Sequence, residues 1–281
     1  MKLLRYGPAG REKPGILAAD GTLRDLSAVL GDIAGPVLTA EGLNQLKRID
    51  VTRLPIVDGQ PRLGPPVGGV GKMICVGLNY ADHAAEAGMA VPALPVIFMK
   101  ATTAIVGPND NVVIPRHSTK TDWEVELGVV IGDVARAVST EEARRHIAGY
   151  LVVNDVSERA FQLEHGGQWV KGKSCDTFGP IGPYLVTCDE VADPQRLSLW
   201  LEVNGHRYQQ GNTRTMVFGV DALVSHISQY MTLVSGDIIS TGTPPGVGMG
   251  QRPPIYLRAG DVVTLGIDGL GVQRQSVVAQ S

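Results

Sequence analysis

Runs of apolar residues between turn-forming residues recur along most of the chain and predict short β-strands. Segments such as PVIFMK, WEVELGVVIG, GYLVVNDVS, IGPYLVT and DVVTLGID are rich in β-branched residues. Asn204-Gly205 predicts a tight hairpin within LSLWLEVNGHRYQQ, where apolar and polar residues alternate. Two segments follow a helical pattern instead. STEEARRHIAG has a capping box of Ser139 with Glu142 and a closing glycine, and DALVSHISQYMTLVSG carries an apolar stripe that ends at Gly236.

The order of these segments predicts two domains. Residues 1–70 predict a small N-terminal domain and linker, with short strands around an Asp20-Gly21 turn, a helix over TAEGLNQLKRI and a final connection rich in proline and glycine. Residues 71–281 predict a larger main domain. Strands outnumber helices and show no βαβ alternation, which argues against a Rossmann or TIM fold. The predicted fold class is therefore α+β, mostly β.

Composition narrows the classes of function. The chain has 281 residues, of which 43% are apolar and 19% charged, as in a folded globular protein. A net charge of −3 argues against a nucleic-acid partner. No apolar run reaches the length of a membrane helix, and the N-terminus lacks the apolar region of a signal peptide. Three cysteines without metal-type spacing fit free thiols, so we expect a cytoplasmic protein with no membrane partner.

Two glutamates interrupt a strand pattern in TDWEVELGVVIGD. Glu124 and Glu126 lie two residues apart, so a half-buried strand would place both on one face, where they repel each other. A divalent cation would make that arrangement favourable, and Asp155 at the end of the next strand-like run offers a third carboxylate. An all-oxygen set suits Mg²⁺, Mn²⁺ or Ca²⁺ and suits zinc poorly. The alternative is a solvated strand face with ordinary surface glutamates.

Three further segments could carry chemistry. His83 and Glu86 are neighbours on one helical turn in NYADHAAEAG, so the carboxylate could orient the imidazole as a general base. Lys173, in the polar stretch WVKGKSCDTFGPIGP, could stabilise an oxyanion. The loop STGTPPGVGMG lacks the lysine of a nucleotide-binding P-loop, but its amides and the hydroxyls of Thr241 and Thr243 could hold a carboxylate. Solvated surface pairs and a tight structural loop are the alternatives.

Taken in order, seven segments resemble the fumarylacetoacetate hydrolase family from about residue 71 to the end of the chain. They are GLNYADHAAEAG, PVIFMK, DWEVELGVVIG, NDVSERAFQ, KGKSCDTFGPIGP, VNGHRYQQGNT and GDIISTGTPPGVG. The N-terminal stretch resembles the leading domain of bacterial members that act on sugar-derived 2,4-dioxo acids or are labelled ureidoglycolate lyase. The resemblance implies a mixed β-sandwich or β-roll with a small N-terminal domain, usually paired as a homodimer.

The same resemblance implies roles for particular residues. It assigns a Mg²⁺ or Mn²⁺ site and a catalytic His–Glu dyad with a lysine, and it places further pocket residues on the S-x-R-x-x-Q stretch and the glycine-threonine loop. These residues are Glu124, Glu126 and Asp155 for the metal, His83, Glu86 and Lys173 for catalysis, and Arg159, Gln162, Gly242 and Thr243 for substrate binding.

The implied activity is metal-dependent hydrolysis of a C–C bond in a small 2-oxo acid. A 2,4-dioxo acid of the acylpyruvate type would give pyruvate and a carboxylic acid, with the segment HAAEAGMAVPALP as a mobile lid. Decarboxylation of oxaloacetate, or isomerase, hydratase or lyase chemistry on a 2-oxo acid, could use the same site. A non-catalytic β-sandwich that binds a metal or a sugar acid is the alternative outside enzymes.

Overall fold

The computed structural model describes residues 1–86 and 90–280, and its architecture is mostly β. The strands are β1 (Lys2–Tyr6), β2 (Lys13–Leu17), β3 (Leu23–Asp25), β4 (Leu63–Gly64), β5 (Met73–Gly77), β6 (Val96–Lys100), β7 (Ile105–Val106), β8 (Val112–Ile114), β9 (Thr121–Asp122), β10 (Val125–Ile131), β11 (Ile147–Asn154), β12 (Ser157–Glu158), β13 (Gly179–Thr187), β14 (Ser198–Val203), β15 (His206–Asn212), β16 (Ile238–Ser240), β17 (Val262–Ile267) and β18 (Gly271–Ala279). The α-helices are α1 (Ala40–Leu46), α2 (Ala81–Glu86), α3 (Thr140–Ala143), α4 (Arg159–Leu163), α5 (Val170–Lys173) and α6 (Val220–Ser228).

A large mixed sheet forms the frame of the molecule. Its strands lie in the order β3-β2-β1-β13-β11-β10-β16-β5-β6, with β4 paired to β1 and β7 paired to β13. The N-terminal strands thus extend the main sheet, because β1 runs antiparallel to β13. The β16–β5 pair is parallel, whereas β10 and β11 form a long antiparallel hairpin. The boundary at residue 70 remains a prediction.

A second, five-stranded sheet packs on one face of this frame in the order β15-β14-β17-β18-β8. Its side chains Leu199, Leu201 and Leu265 share one apolar cluster with Leu127 and Val152 of the β10–β11 hairpin. The opposite face of the same hairpin packs against a second cluster that includes residues of the N-terminal region. The predicted mixed, mostly β fold is therefore confirmed, with the hairpin at its centre.

The central strand β10 is buried on both faces. Val129 packs into the first apolar cluster and the adjacent Val130 into the second, so every residue of the strand is buried. The sequence predicts a half-buried strand here, and that prediction is wrong because the N-terminal segment covers the second face. Glu126 points to the same side of the strand as Val130, and its carboxylate is buried.

The hairpins and helix starts agree well with the predictions. Asn204-Gly205 joins β14 to β15, and the Asp20-Gly21 turn joins β2 to β3. The capping box of Ser139 and Glu142 is present at the start of α3. Helix α1 lies within the predicted segment TAEGLNQLKRI. Local signals were sufficient for these elements because turn and cap chemistry is local.

Two helices end earlier than predicted. In both cases, residues after the helix form backbone hydrogen bonds with another segment of the chain. Helix α3 and a following 3₁₀ turn stop at His146, and Gly149 is a strand residue of β11 rather than a helix cap. Helix α6 ends at Ser228 rather than near Gly236. The chain then turns so that Leu233 can exchange backbone hydrogen bonds with Ala135 at 2.9 and 3.0 Å.

Among the helices of the described ranges, none is long and apolar enough to cross a bilayer.

The close packing at Gly149 gives a test of the central sheet. A Cβ atom at this position would lie 2.2 Å from Val186 O on the neighbouring strand, although the backbone angle itself is ordinary. We expect Gly149→Ala to lower the free energy of unfolding by about 3 kcal/mol, because β11 and β13 must separate to admit it. Chemical denaturation measures the change.

The control variant is Gly31→Ala. A Cβ atom at this position would meet nothing within 4 Å, so the substitution should change the free energy of unfolding by less than about 0.5 kcal/mol. Equal stability of the two variants would contradict the strand packing.

Candidate functional site

Three carboxylates converge at the open end of the β10–β11 hairpin. The Asp155 N–H donates to Glu124 O at 2.9 Å, which continues the ladder one step beyond the two strands and sets these residues side by side. Glu126 follows inside β10. One oxygen from each of the three carboxylates lies within 4.8 Å of the others, and all three side chains are buried. The structure therefore brings together the residues predicted as metal ligands.

Two buried lysines contact this group. Lys173 Nζ donates to Glu124 Oε2 and to Asp155 Oδ2, both at 2.8 Å. Lys100 Nζ lies 2.5 Å from Asp155 Oδ1 but donates its hydrogen bonds to two backbone carbonyls, those of Val156 and Lys173. Burial by itself would lower the pKa of Lys173, but the carboxylates of Asp155 and Glu124 outweigh it and raise the pKa. Lys173 is therefore a fixed cation and not a base.

Arg159 provides the third cation of the group. Its Nη2 donates to Glu124 Oε1 at 2.6 Å, its Nε to Asp122 Oδ2 at 2.8 Å, and its Nη1 to Gln162 Oε1 at 3.1 Å. Burial opposes the charge of the guanidinium, yet Asp122 and Glu124 raise the pKa of Arg159 above its usual value. The predicted substrate residue Arg159 thus contacts a predicted metal ligand, and Gln162 contacts Arg159.

Glu126 faces the glycine-threonine loop that follows β16. Its Oε2 accepts hydrogen bonds from Ser240 Oγ at 2.6 Å and from Gly242 N at 2.9 Å. Burial, followed by the charges of Asp155 and Glu124, raises the pKa of Glu126 well above its usual range. The Gly242 amide is therefore directed at a carboxylate of the protein.

A buried glutamine holds the next part of the loop. The Thr243 hydroxyl donates to Val125 O at 2.9 Å and accepts from Gln209 Nε2 at 2.8 Å. Gln209 also donates to Pro244 O and accepts from Val125 N at 3.0 Å. The loop is thereby tied to the start of β10, and Thr243 reaches the cavity described below.

The predicted dyad lies on helix α2, of which the structure describes only part in full. Glu86 accepts the Gly246 amide at 3.0 and 3.2 Å, so the end of α2 is anchored to the glycine-threonine loop. The backbone of His83 belongs to α2, but its side chain lies outside the described residues. The lid predicted over residues 83–95 also includes residues 87–89, which lie outside them. Both assignments remain predictions.

The residues present fit a hard divalent cation. Glu126 is buried beside two other carboxylates and carries a raised pKa that a nearby cation would offset, and Asp155 Oδ1 makes no hydrogen bond, although the Lys100 ammonium lies 2.5 Å from it. The donor set is made of carboxylate oxygens, which Mg²⁺ and Mn²⁺ prefer. Glu124, Glu126 and Asp155 are therefore the residues that would hold such an ion.

A cavity of about 290 Å³ opens onto this group. That volume is near the lower end for small-molecule sites, about 300 Å³. Six of its lining residues are polar and belong to the predicted site, and we call them the polar wall; the remaining side chains of the lining are apolar or aromatic and form the apolar wall. The polar residues are Glu124, Glu126, Arg159, Gln162, Lys173 and Thr243. The arrangement can bind a small anion next to a metal and surround the rest of the molecule with apolar side chains.

Three buried residues at this site were missed by the sequence reasoning: Lys100, Asp122 and Gln209. Lys100 is the last residue of the apolar strand PVIFMK. A lysine at the end of such a strand could have indicated a buried charge. Gln209 occupies an inward position of the alternating strand β15, so the alternation that predicted the hairpin also pointed to it. Asp122 binds Arg159 and the Gly248 amide at 2.6 Å, contacts that no spacing in the sequence indicates.

Comparison with known proteins agrees with this geometry. Residues 72–278 match the model of the fumarylacetoacetate hydrolase C-terminal domain. A Burkholderia ambifaria protein described only provisionally as a hydrolase is 65% identical over 277 residues, covering 98% of each chain.

Two solved structures cover all of this chain and are themselves covered in full. A fumarylacetoacetate hydrolase from Exiguobacterium antarcticum is 37% identical, with a TM-score of 0.88. A maleylpyruvate hydrolase from Sphingobium sp. SYK-6, solved with manganese(II) and pyruvate, is 29% identical, with a TM-score of 0.83. The chain therefore belongs to the fumarylacetoacetate hydrolase family.

Proposed function

We propose that the protein is a divalent-metal-dependent hydrolase that cleaves the C–C bond of a 2,4-dioxo acid of the acylpyruvate type. The observation that carries the proposal is the buried triad of Glu124, Glu126 and Asp155 beside two fixed cations, Lys173 and Arg159, at the polar wall of a small cavity. The solved maleylpyruvate hydrolase with manganese and pyruvate supports both the ion and the product. Mg²⁺ and Mn²⁺ both suit the site.

When bound, the ion would polarise the 2-oxo group of the substrate and stabilise negative charge as the C–C bond breaks. Arg159 has more N–H donors than its three hydrogen bonds to protein groups use, so it can also bind the substrate carboxylate. Gln162 holds the Arg159 guanidinium from the cavity side. Together these residues fix the pyruvate end of the substrate.

His83, oriented by Glu86, is the proposed general base. It takes a proton from water, the water oxygen bonds to C4, and the C3–C4 bond breaks. C3 then accepts a proton, so that one water and one acylpyruvate give pyruvate and a carboxylic acid. The anchoring of Glu86 to the Gly246 amide holds this end of α2 beside the cavity.

Lys173 is the proposed oxyanion stabiliser. Its ammonium is buried, stays protonated and lines the cavity, where the developing charge on the C4 oxygen would be poorly screened by water. The neighbouring carboxylates hold the ammonium in place before the reaction, so little reorganisation is needed. The contribution of Lys173 is therefore electrostatic.

We extend the proposal to a cytoplasmic homodimer that has no nucleic-acid or membrane partner. The family resemblance supports the dimer, and the free thiols Cys75, Cys175 and Cys188 support a reducing compartment. Light scattering of the purified protein measures the mass in solution, and a value near 30 kDa, the monomer, would contradict the dimer.

The first test concerns the metal. With a panel of 2,4-dioxo acids, we expect pyruvate release that EDTA abolishes and Mg²⁺ or Mn²⁺ restores. Glu126→Gln should weaken Mn²⁺ binding by at least about 100-fold in calorimetry, because a charged ligand is lost. Glu202→Gln, which breaks a surface pair with Arg207, is the matched control and should bind normally. Full activity in excess EDTA would rule out the metal-dependent reaction.

The second test concerns Lys173. Lys173→Met should lower kcat by about 100-fold, since one oxyanion-stabilising group is removed. Lys171→Met is the control, because Lys171 lies on the same helix but is exposed and donates to a carbonyl. Steady-state kinetics with Mg²⁺ measures both variants. A Lys173→Met enzyme with the kcat of the control would show that the ammonium has no catalytic role.

The third test separates hydrolysis from decarboxylation. We expect His83→Ala to lose acylpyruvate hydrolysis, because water activation needs a base, while any decarboxylation of oxaloacetate survives. Pyruvate assays on the two substrates measure this. Equal loss on both substrates would contradict the assigned role, and consumption of a 2-oxo acid with its carbon skeleton intact would indicate an isomerase or hydratase.

A further inference from the structure

We infer that the acyl group of the substrate is uncharged and apolar, so that the enzyme acts on acylpyruvates with a single carboxylate. This inference rests on the proposed function and specifies the substrate class of the same site. Two independent features carry it: the apolar chemistry of the rest of the cavity lining, and the balance of buried charge around the carboxylates.

The apolar wall of the cavity adjoins the charged group and is built from aromatic and aliphatic side chains. Phe98 and Trp169 pack edge to face, with ring centroids 5.4 Å apart and an interplanar angle of 66°. Val76, Leu78, Leu163 and Met249 complete this wall. An acyl chain that extends from the metal end would therefore contact rings and aliphatic groups, which favour an apolar partner.

Gly77 lets the indole close this wall. A Cβ atom at Gly77 would lie 2.6 Å from Trp169 Cζ3, so the ring occupies the space that any other residue would fill. The Trp169 ring thus packs directly on the backbone of β5. The wall is a built surface with defined packing, and its aromatic pair is held at the boundary of the cavity.

The cations of the described cavity are already matched by carboxylates. Among the described residues that line it, Arg159 and Lys173 are the basic side chains, and both contact Glu124 at the metal end. The Lys173 ammonium also lies 5.0 Å from the centroid of the Phe98 ring, so the apolar wall begins next to the charged group. A carboxylate at the end of the acyl chain would face the aromatic pair without a basic partner in this part of the chain.

The charge of the whole group leads to the same conclusion. Ion pairs join three carboxylates, those of Asp122, Glu124 and Asp155, to three cations, those of Lys100, Lys173 and Arg159. A fourth carboxylate, that of Glu126, lies within 4.8 Å of Glu124 and Asp155. A divalent ion would leave one positive charge, which the carboxylate of an acylpyruvate neutralises. A second carboxylate would leave an unmatched negative charge in a buried site, which is unfavourable.

An isosteric pair of substrates tests the inference. The two compounds are 7-methyl-2,4-dioxooctanoate, whose chain ends in an isopropyl group, and 2,4-dioxoheptanedioate, in which a carboxylate replaces it. With Mg²⁺, we expect kcat/KM for pyruvate release to favour the isopropyl compound by at least about tenfold. If both compounds release pyruvate and kcat/KM for the dicarboxylate is equal or higher, the inference is wrong, although the proposed hydrolase activity stands. No pyruvate from any 2,4-dioxo acid would instead refute the proposed function.

A binding measurement separates recognition from turnover. The analogues 7-methyl-2-oxooctanoate and 2-oxoheptanedioate lack the 4-oxo group, so this reaction cannot cleave them. We expect the first to change the tryptophan emission of the full-length protein with Mg²⁺ and to bind at least about tenfold more tightly. The Trp169→Phe variant should lose most of that emission change. Equal affinity for the two analogues would overturn the inference even if every variant lost activity.

A gain of function completes the test. Leu163 is 46% exposed at the edge of the apolar wall, directly after Gln162 on helix α4, so a longer polar side chain can be accommodated there. Leu163→Arg should raise the relative kcat/KM of the dicarboxylate by about tenfold, because it supplies the missing cation. Leu163→Gln is the control, since it adds polarity without charge, and should shift the ratio much less. Equal shifts in both variants would show that charge does not govern the choice.

Discussion

The structure depends on the compensation of buried charge at the end of one hairpin. Three carboxylates that repel one another lie inside the protein, and the cations Lys173, Lys100 and Arg159 hold them together. Carboxylates buried without such partners would become protonated or would open the fold. With the cations in place, the group keeps its oxygens directed at one point. The proposed divalent ion and the inferred limit on substrate charge both rest on this balance.

The sheets supply the rigidity that this group requires. β10 and β11 are covered on both faces, and the pairing of these two strands sets Glu124, Glu126 and Asp155 side by side. The remaining residues come from distant parts of the chain. Gln209 ties the glycine-threonine loop to β10, and Asp122 joins Arg159 to the same loop at the Gly248 amide. The residues of the proposed reaction are thereby positioned by packed strands rather than by loops alone.

Much of the fold could be predicted from the sequence, because hairpins, caps and strand patterns are local. Asn204-Gly205 and the capping box at Ser139 are examples. The missed elements depend on distant partners. β16 is only three residues long and exists because it fits between β10 and β5. β18 directs Gln273 and Gln275 inward, where they bond to each other and to backbone carbonyls, so its buried face is polar.

The site was predictable to a similar degree. Spacing and motif order indicated Glu124, Glu126 and Asp155, which the structure brings together. The residues that balance the charge of these carboxylates could not be predicted in the same way, because Lys100 and Asp122 belong to segments far from one another in sequence. The aromatic wall formed by Phe98 and Trp169 also depends on the bare backbone of Gly77, and no local pattern joins these residues.

The most direct test of the central claim is anomalous diffraction at the manganese edge from crystals grown with Mn²⁺. The account predicts one peak per chain, within coordination distance of oxygens from Glu124, Glu126 and Asp155. A saturated crystal with no peak among these carboxylates, and with the Lys173 ammonium still bridging Glu124 and Asp155 as the resident cation, would contradict it.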